Sequence, residues 1–374
     1  MQEMNDKIKQ VQRIVVKVGS STLTYENSKL NLNQIDKLVR DISNLKNQDL
    51  DIIFVSSGAI AAGQGKLSLD KTNRSIPEKQ ALASIGQGLL MKTYQKLFSE
   101  YGYEAAQILL TQNDLNDRKR YLNSRNTINQ LLKYNVVPII NENDTVAVKE
   151  IKFGDNDTLS ALVSSLIDAD LLIMLSDIDG LYTTDPREDA SAELISEVDD
   201  ISEVESVAGG SGTERGTGGM NTKIEAAKIA TKAGIPMIIA NGKQDKVLTK
   251  IVAGEKIGTT FLAEEGLPSR DKWIAFNMAV EGKITVDSGA AKALQQSGSS
   301  LLACGIVDTE GAFAAGDVVD ILDQSAAKIG RGLVNYSQRE VEQIKGLHSS
   351  EIETELGYQA YDEVIHRDNL VLSI

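Results

Sequence analysis

Between residues 12 and about 260, short apolar runs alternate with longer stretches in which apolar residues recur every three or four positions. The runs are IVVKV (14–18), IIFVS (52–56), AAQILL (105–110), VVPII (136–140), LLIML (171–175) and PMIIA (236–240). They are β-branched or leucine-rich along their whole length, the pattern of strands covered on both faces of a parallel sheet. Ile35, Leu38, Val39, Ile42 and Leu45 recur at helical spacing, as do Leu159, Leu162, Val163 and Leu166. Gly234, followed by Ile235 and Pro236, closes the helix that starts near residue 220 and leads into the last strand. Strand and helix in alternation predict an α/β domain, a three-layer αβα sandwich around a mainly parallel sheet.

After GLPSRDKW (266–273) the texture changes. KITVD, SLLACGIV and DVVDIL are short segments separated by Gly and Ser turns, which predicts a small β-rich module. The expected domains are therefore residues 1–268 and 269–374, and no internal repeat is evident.

Composition narrows the class. A chain of 374 residues is comfortable for two domains, and its 41% apolar and 25% charged residues are ordinary for a globular protein. A formal net charge of −14 disfavours electrostatic binding to nucleic acid or to an anionic membrane. Cys304 is the only cysteine, so an intrachain disulfide is excluded; its apolar neighbours in SSLLACGIV read as a buried strand. The N-terminus is polar and no apolar run approaches the ~20 residues that cross a bilayer, which reads as a cytoplasmic protein.

The chemistry lies at the carboxyl ends of the expected strands, where ligands of parallel α/β sheets normally bind. The first strand ends in Lys17-Val18-Gly19-Ser20-Ser21, the second in Ser56-Ser57-Gly58-Ala59, the fourth in Asn141-Glu142-Asn143-Asp144, and the fifth in Ser176-Asp177-Ile178-Asp179. Gly154-Asp155-Asn156-Asp157 opens a helix soon after the fourth. Lys17 sits in an apolar run and is costly to bury unpaired. Either its stem packs while its ammonium reaches solvent, or it serves a ligand, which its place before Gly-Ser-Ser favours. Ser57-Gly58 is equally compatible with a plain strand-to-helix turn, and Asp155 with a helix cap. Asp177 and Asp179 suggest a metal loop, but the downstream glutamate of a calcium loop is missing.

RGTGGMNTK (215–223) opens a helical pattern and is the clearest motif. Glycines allow close backbone approach, and a helix N-terminus offers free N–H groups and partial positive charge, so the stretch suits a phosphate. It is not a Walker loop, and GGSGTERG fails the dinucleotide fingerprint because Arg215 holds the third glycine's place. Both histidines, His348 and His366, lie in the second module, which excludes histidine chemistry from the first. Two lysines among amides, hydroxyls and carboxylates suit phosphoryl transfer, which needs positioning and positive charge more than proton movement.

In order and spacing, VVKVGSSTLT (15–24), VSSGAIAAG (55–63), LLTQNDLNDRKRYLNSRNT (109–127), PIINENDTVA (138–147), KFGDNDTLSALV (152–163), LSDIDGLYTTDPR (175–187) and GTGGMNTK (216–223) resemble the amino acid kinase family. Within it they are most similar to the members that phosphorylate the γ-carboxylate of L-glutamate, the first step of proline biosynthesis. The resemblance implies the amino acid kinase fold, with ATP as phosphoryl donor and magnesium held through phosphates and water. It implies that Lys17 and Lys223 flank the transferring phosphoryl group and that Asp157 positions them. It places Ser57, Gly58, Asp144 and Asn156 at the glutamate. Lys17, Ser176, Asp177 and the loop Thr217, Gly218, Gly219, Met220, Asn221, Thr222 and Lys223 fall at ATP. The family's usual residue before Asp177 is Thr, and Ser176 keeps the hydroxyl. Proline inhibition and a homo-oligomer, dimer or tetramer, are further expectations.

The second module resembles a PUA domain through residues 282–307, 313–322, 327–346 and 364–372. PUA domains often bind RNA, yet residues 270–374 carry 9 basic against 16 acidic residues, a balance of −7. A structural or regulatory role is therefore expected there and a nucleic-acid partner is not. Two alternatives stand beside the leading reading. One is an amino acid kinase acting on another carboxylate, and the other is an RNA-binding protein on a kinase-like scaffold.

Overall fold

The computed structural model describes residues 8, 10–70, 74–146, 156–184, 186, 189, 191–204, 219–263 and 280–372. By internal contacts the chain divides into Met1–Asn116 with Asn123–Gly266, and Asp117–Leu122 with Leu267–Ile374. The expected boundary at 268/269 lies outside the described residues.

The first unit is built on strands β1 (Arg13–Val18), β2 (Asp51–Ser56), β3 (Ala105–Leu110), β4 (Val137–Glu142) and β5 (Leu171–Ser176). A short hairpin, β6 (Leu181–Tyr182) with β7 (Leu194–Ile195), and then β8 (Glu197–Val198), β9 (Met237–Asn241) and β10 (Thr259–Phe261) complete the set. Its main sheet runs β3-β4-β2-β1-β5-β9-β10-β8. Every pair from β3 to β9 is parallel, and only β10 runs antiparallel to β9. All six apolar runs of the sequence are strands of this sheet. Its other members span only two or three residues, too few to leave a hydrophobic period.

The principal helices are α1 (Leu32–Lys46), α2 (Ala59–Lys66), α3 (Ile76–Glu100), α4 (Arg118–Lys133), α5 (Asn156–Leu166), α6 (Met220–Lys232) and α7 (Val247–Val252). Period-2 alternation along the strands sorts them into two layers. Ile14, Val16, Val18, Ile52, Phe54, Ile173 and Leu175 share one buried cluster with Ile35, Leu38 and Ile42 of α1, Leu90, Tyr94 and Phe98 of α3, and Leu248 of α7. Val15, Lys17, Ile53, Val55, Leu172 and Met174 therefore face the other way, where α5 packs on β1, β2 and β5 and α6 packs on α5. Lys17 is thus in the buried layer by register alone. Asn31 caps α1 by accepting from Gln34 N at 3.1 Å, and Ser75 with Glu78 forms a capping box at α3. After α6, Gly234 takes φ +77° and its N–H bonds back to Thr231, which ends the helix as the sequence predicts.

The second unit holds a mixed five-stranded sheet, β12 (Ile306–Gly311), β11 (Val280–Val286), β13 (Val318–Leu322), β14 (Lys328–Leu333) and β15 (Leu370–Leu372), in that spatial order. Only β11 and β13 are parallel neighbours. Its core gathers Ile284, Val286, Leu301, Ala303, Val319, Ile321, Tyr336 and Ile365, together with helices α8 (Ser288–Ser297) and α9 (Gln338–Ile344). Cys304 departs from expectation: it is exposed, in a 3-10 turn over Ala303–Gly305. Leu301 and Ala303 take the buried side of this stretch, at 1% and 0% exposure, and leave Leu302 and Cys304 outside.

Candidate active site

The sheet's strand order turns at β1, with β2 on one side and β5 on the other, and the candidate residues collect at the carboxyl ends around this switch point. Lys17 is the penultimate residue of β1, paired in register with Val55 of β2 and Met174 of β5, and only 6% exposed. Asp157 is the second residue of α5 and fully buried. Lys223 lies in the first turn of α6 and is also 6% exposed.

These three meet on one carboxylate. Lys17 Nζ donates to Asp157 Oδ1, and Lys223 Nζ donates to Oδ2 at 3.2 Å. The Thr222 hydroxyl lies 2.7 Å from the same Oδ2 and 2.8 Å from the Gly219 carbonyl, and its single proton serves one at a time. Burial by itself pushes the Asp157 carboxyl up. The charges of Lys17 and Lys223, with hydrogen bonds from Lys17 and Thr222, more than reverse this and hold it well below the usual carboxylate range. Helix dipoles enter as well. An anion at the start of α5 is favoured, whereas a lysine at the start of α6 is not, and Asp157 offsets that conflict. The cluster brings two lysine ammonium groups to the N-terminal ends of two helices, a setting suited to phosphate oxygens.

A second polar group lies beside it. Ser57 follows β2, its N–H donating to the Val18 carbonyl at 3.2 Å, and Gly58 then takes φ +94° to turn into α2. Any side chain at Gly58 would hold this left-handed turn under strain. Asn156, the first residue of α5, donates through Nδ2 to Ser57 Oγ at 3.0 Å and to Asn141 Oδ1 at 3.1 Å. Asp144 stands half-buried in the turn after β4. Asn141 was passed over in the sequence because it shares a polar run with the more conspicuous Asp144. Gln87 of α3, which accepts from Asn141 Nδ2 at 2.8 Å, gave no signal because a polar residue on a long amphipathic helix is ordinary.

On the other side of β1, Ser176 ends β5 with its Oγ 3.2 Å from Asp177 Oδ1. Asp177 is exposed, whereas Asp179 is held by Asn241 Nδ2 at 3.0 Å. Gly219 caps α6 in an extended conformation and is exposed, and among the described residues nothing lies within 4 Å of a Cβ placed there. Met220 and Thr222 are half-buried and Asn221 is exposed. Thr217 and Gly218 of the expected phosphate loop lie outside the described residues.

An open, mainly parallel α/β sheet with this lysine–aspartate–lysine cluster at its switch point describes a phosphoryl-transferring enzyme, a kinase. The chain belongs to the amino acid kinase family, whose profile matches residues 12–241, and a PUA domain matches residues 282–356. Curated relatives named glutamate 5-kinase are similar along nearly the whole length. That of Caldanaerobacter subterraneus subsp. tengcongensis is 59% identical over 96% of this chain and 97% of its own. That of Carboxydothermus hydrogenoformans is 52% identical over 99% of this chain and 100% of its own. The UMP kinase structure from Bacillus anthracis matches at 13% identity with a TM-score of 0.47, over 69% of this chain and 98% of that one. The family and the PUA domain read in the sequence are thereby confirmed.

Proposed function

We propose that the protein transfers the γ-phosphoryl group of ATP to the γ-carboxylate of L-glutamate, giving L-glutamyl 5-phosphate and ADP, as the first step of proline biosynthesis. The observation that carries the reading is the sharing of Asp157 by Lys17 and Lys223, seen in a chain whose curated relatives are named glutamate 5-kinase. A γ-carboxylate oxygen attacks the γ-phosphorus, an oxygen–phosphorus bond forms, and the bond to the bridging oxygen breaks with its electron pair leaving on ADP. The acceptor is already ionised near neutral pH, so no general base is required. Asp157 accordingly does no proton work. It stays ionised and holds Lys17 and Lys223 where they stabilise charge spreading over the phosphoryl oxygens.

Ser57, Gly58, Asp144 and Asn156 take the glutamate in this reading, Asp144 facing its ammonium. Ser176 and Asp177 contact the nucleotide, and Thr217, Gly218, Gly219, Met220, Asn221, Thr222 and Lys223 cradle its phosphates. Magnesium would supply charge neutralisation on the phosphates. As the family resemblance implies, it would be held through the phosphates and water. Proline, an α-amino acid of similar backbone chemistry, is read as an inhibitor that overlaps the glutamate site around residues 141–156. The protein is read as a cytoplasmic homo-oligomer, dimer or tetramer; among the described residues no helix is long and apolar enough to cross a membrane.

The test is an acceptor panel: ADP release from ATP and magnesium with glutamate, aspartate or N-acetylglutamate, with hydroxylamine trapping the acyl phosphate. Hydroxamate formation on glutamate alone supports the reading, whereas preference for another carboxylate overturns the substrate. In the same assay, proline raises the apparent KM for glutamate and leaves that for ATP unmoved. A proline titration that leaves the glutamate KM unchanged counts against the overlap.

A further inference from the structure

The polar network beside the catalytic cluster has a direction, and one backbone amide sets it. The Glu142 N–H donates to Asn141 Oδ1 at 2.9 Å. A backbone N–H can only donate, so that side of the Asn141 amide is its oxygen. Its NH2 must then turn toward α3, where Gln87 Oε1 accepts it at 2.8 Å. The same Asn141 oxygen accepts from Asn156, so Asn156 presents NH2 to Asn141 and Ser57. Two consequences follow. Asn156 Oδ1 points away from those neighbours, buried and without a hydrogen-bond partner among the described residues. The Ser57 hydroxyl, receiving a bond from Asn156, keeps its own proton to donate. An acceptor that needs a donor beside a donor that needs an acceptor matches the ammonium and carboxylate of an α-amino acid.

We propose that Gln87 is a positioning residue for amino-acid recognition: its side-chain oxygen locks Asn141, and through it Asn156, in the orientation that presents Asn156 Oδ1 to the substrate's ammonium. The inference rests on the glutamate reading above. Gln87 is well fixed for this part. Its neighbour Gly86 lies so close to α2 that a Cβ would come within 1.7 Å of the Ala59 carbonyl oxygen. Tyr94, two turns further along α3, is fully buried and its hydroxyl lies 2.8 Å from Ser56 Oγ. Without an acceptor at position 87, the Asn141 amide loses the partner of its NH2, and Asn156 loses its fixed orientation.

The experiment compares Gln87→Met, which keeps length and helix propensity but removes the acceptor, with Gln87→Glu, which keeps the oxygen. Steady-state kinetics in glutamate and ATP are measured with glutarate, the same dicarboxylate without the ammonium, as competitor. Gln87→Met raises the glutamate KM about tenfold, the size of one lost charge-assisted hydrogen bond, and leaves the ATP KM and glutarate Ki nearly unchanged. Gln87→Glu stays close to wild type. A Met variant with wild-type glutamate KM overturns the proposal. So does a parallel rise in glutamate KM and glutarate Ki, which marks general distortion, or a Glu variant as impaired as Met. A wild type that does not turn over glutamate defeats the function itself, whereas turnover insensitive to Gln87→Met defeats only this inference.

Discussion

Asp157 is a fully buried carboxylate flanked by two nearly buried lysines, and its removal takes an ion-pair partner from each. Replacing it with Asn therefore destabilises the fold by ~3 kcal/mol, by the usual cost of breaking a buried ion pair from one side. The pH dependence follows from the depressed folded pKa. A carboxylate held below its unfolded value of about 4 contributes its full stability above that value and loses it progressively as pH falls below. Urea unfolding of wild type and Asp157→Asn should show a gap that is constant from pH 7 to about 5 and narrows below about 4. A gap that widens in acid contradicts the assignment. None of this coupling could be read from spacing: Asp157 is 140 residues from Lys17 and 66 from Lys223, and only the family resemblance joined them. Cys304 departs from the expectation because apolar neighbours do not say which side a residue takes: Leu301 and Ala303 turn inward and leave Leu302 and Cys304 exposed.

Elements are positioned at this site by close approach as much as by apolar burial. A Cβ on Gly63 of α2 would fall 2.0 Å from the Leu82 carbonyl oxygen of α3, and one on Gly86 of α3 falls on Ala59 of α2. The two helices thus meet backbone to backbone, which seats the head of α2, at Ala59, against Gly86, the neighbour of Gln87 on α3. Gly86→Ala must push the helices apart. The expected loss is ~2 kcal/mol of stability, within the range for overpacking, together with a higher glutamate KM. Thermal unfolding and kinetics of the variant check this, and a variant of wild-type stability and KM refutes the close-packing account. At this scale the sequence was informative about strands and less so about contacts. Apolar runs declared the parallel strands because most of them are buried on both faces; only the edge strand β3 is partly exposed. The α2–α3 contact depends on glycines whose partner is not adjacent in sequence, so composition alone gave no hint of it.

The whole molecule joins a kinase-family unit to an acidic PUA unit. With 9 basic against 16 acidic residues over positions 270–374, the latter offers little electrostatic hold on a polyanion. Titration of the full chain with fluorescent single-stranded RNA at low salt should show no saturable binding; tight, salt-sensitive binding would overturn that reading of the module. The change of texture near residue 266 was visible because the turn-rich strands replace helix-length periods. The role of the PUA unit was not, since its fold leaves the ligand open.

The central claim is that Lys17, Asp157 and Lys223 act together on a transferring phosphoryl group. Its most direct measurement is the kcat for acyl-phosphate formation from glutamate and ATP in Lys17→Ala, Lys223→Ala and the double variant, each shown to be folded by circular dichroism. Each single variant should fall by roughly a thousandfold, and the double variant by less than the product of the two, because the lysines work as a unit. Single variants within about tenfold of wild type would contradict the account.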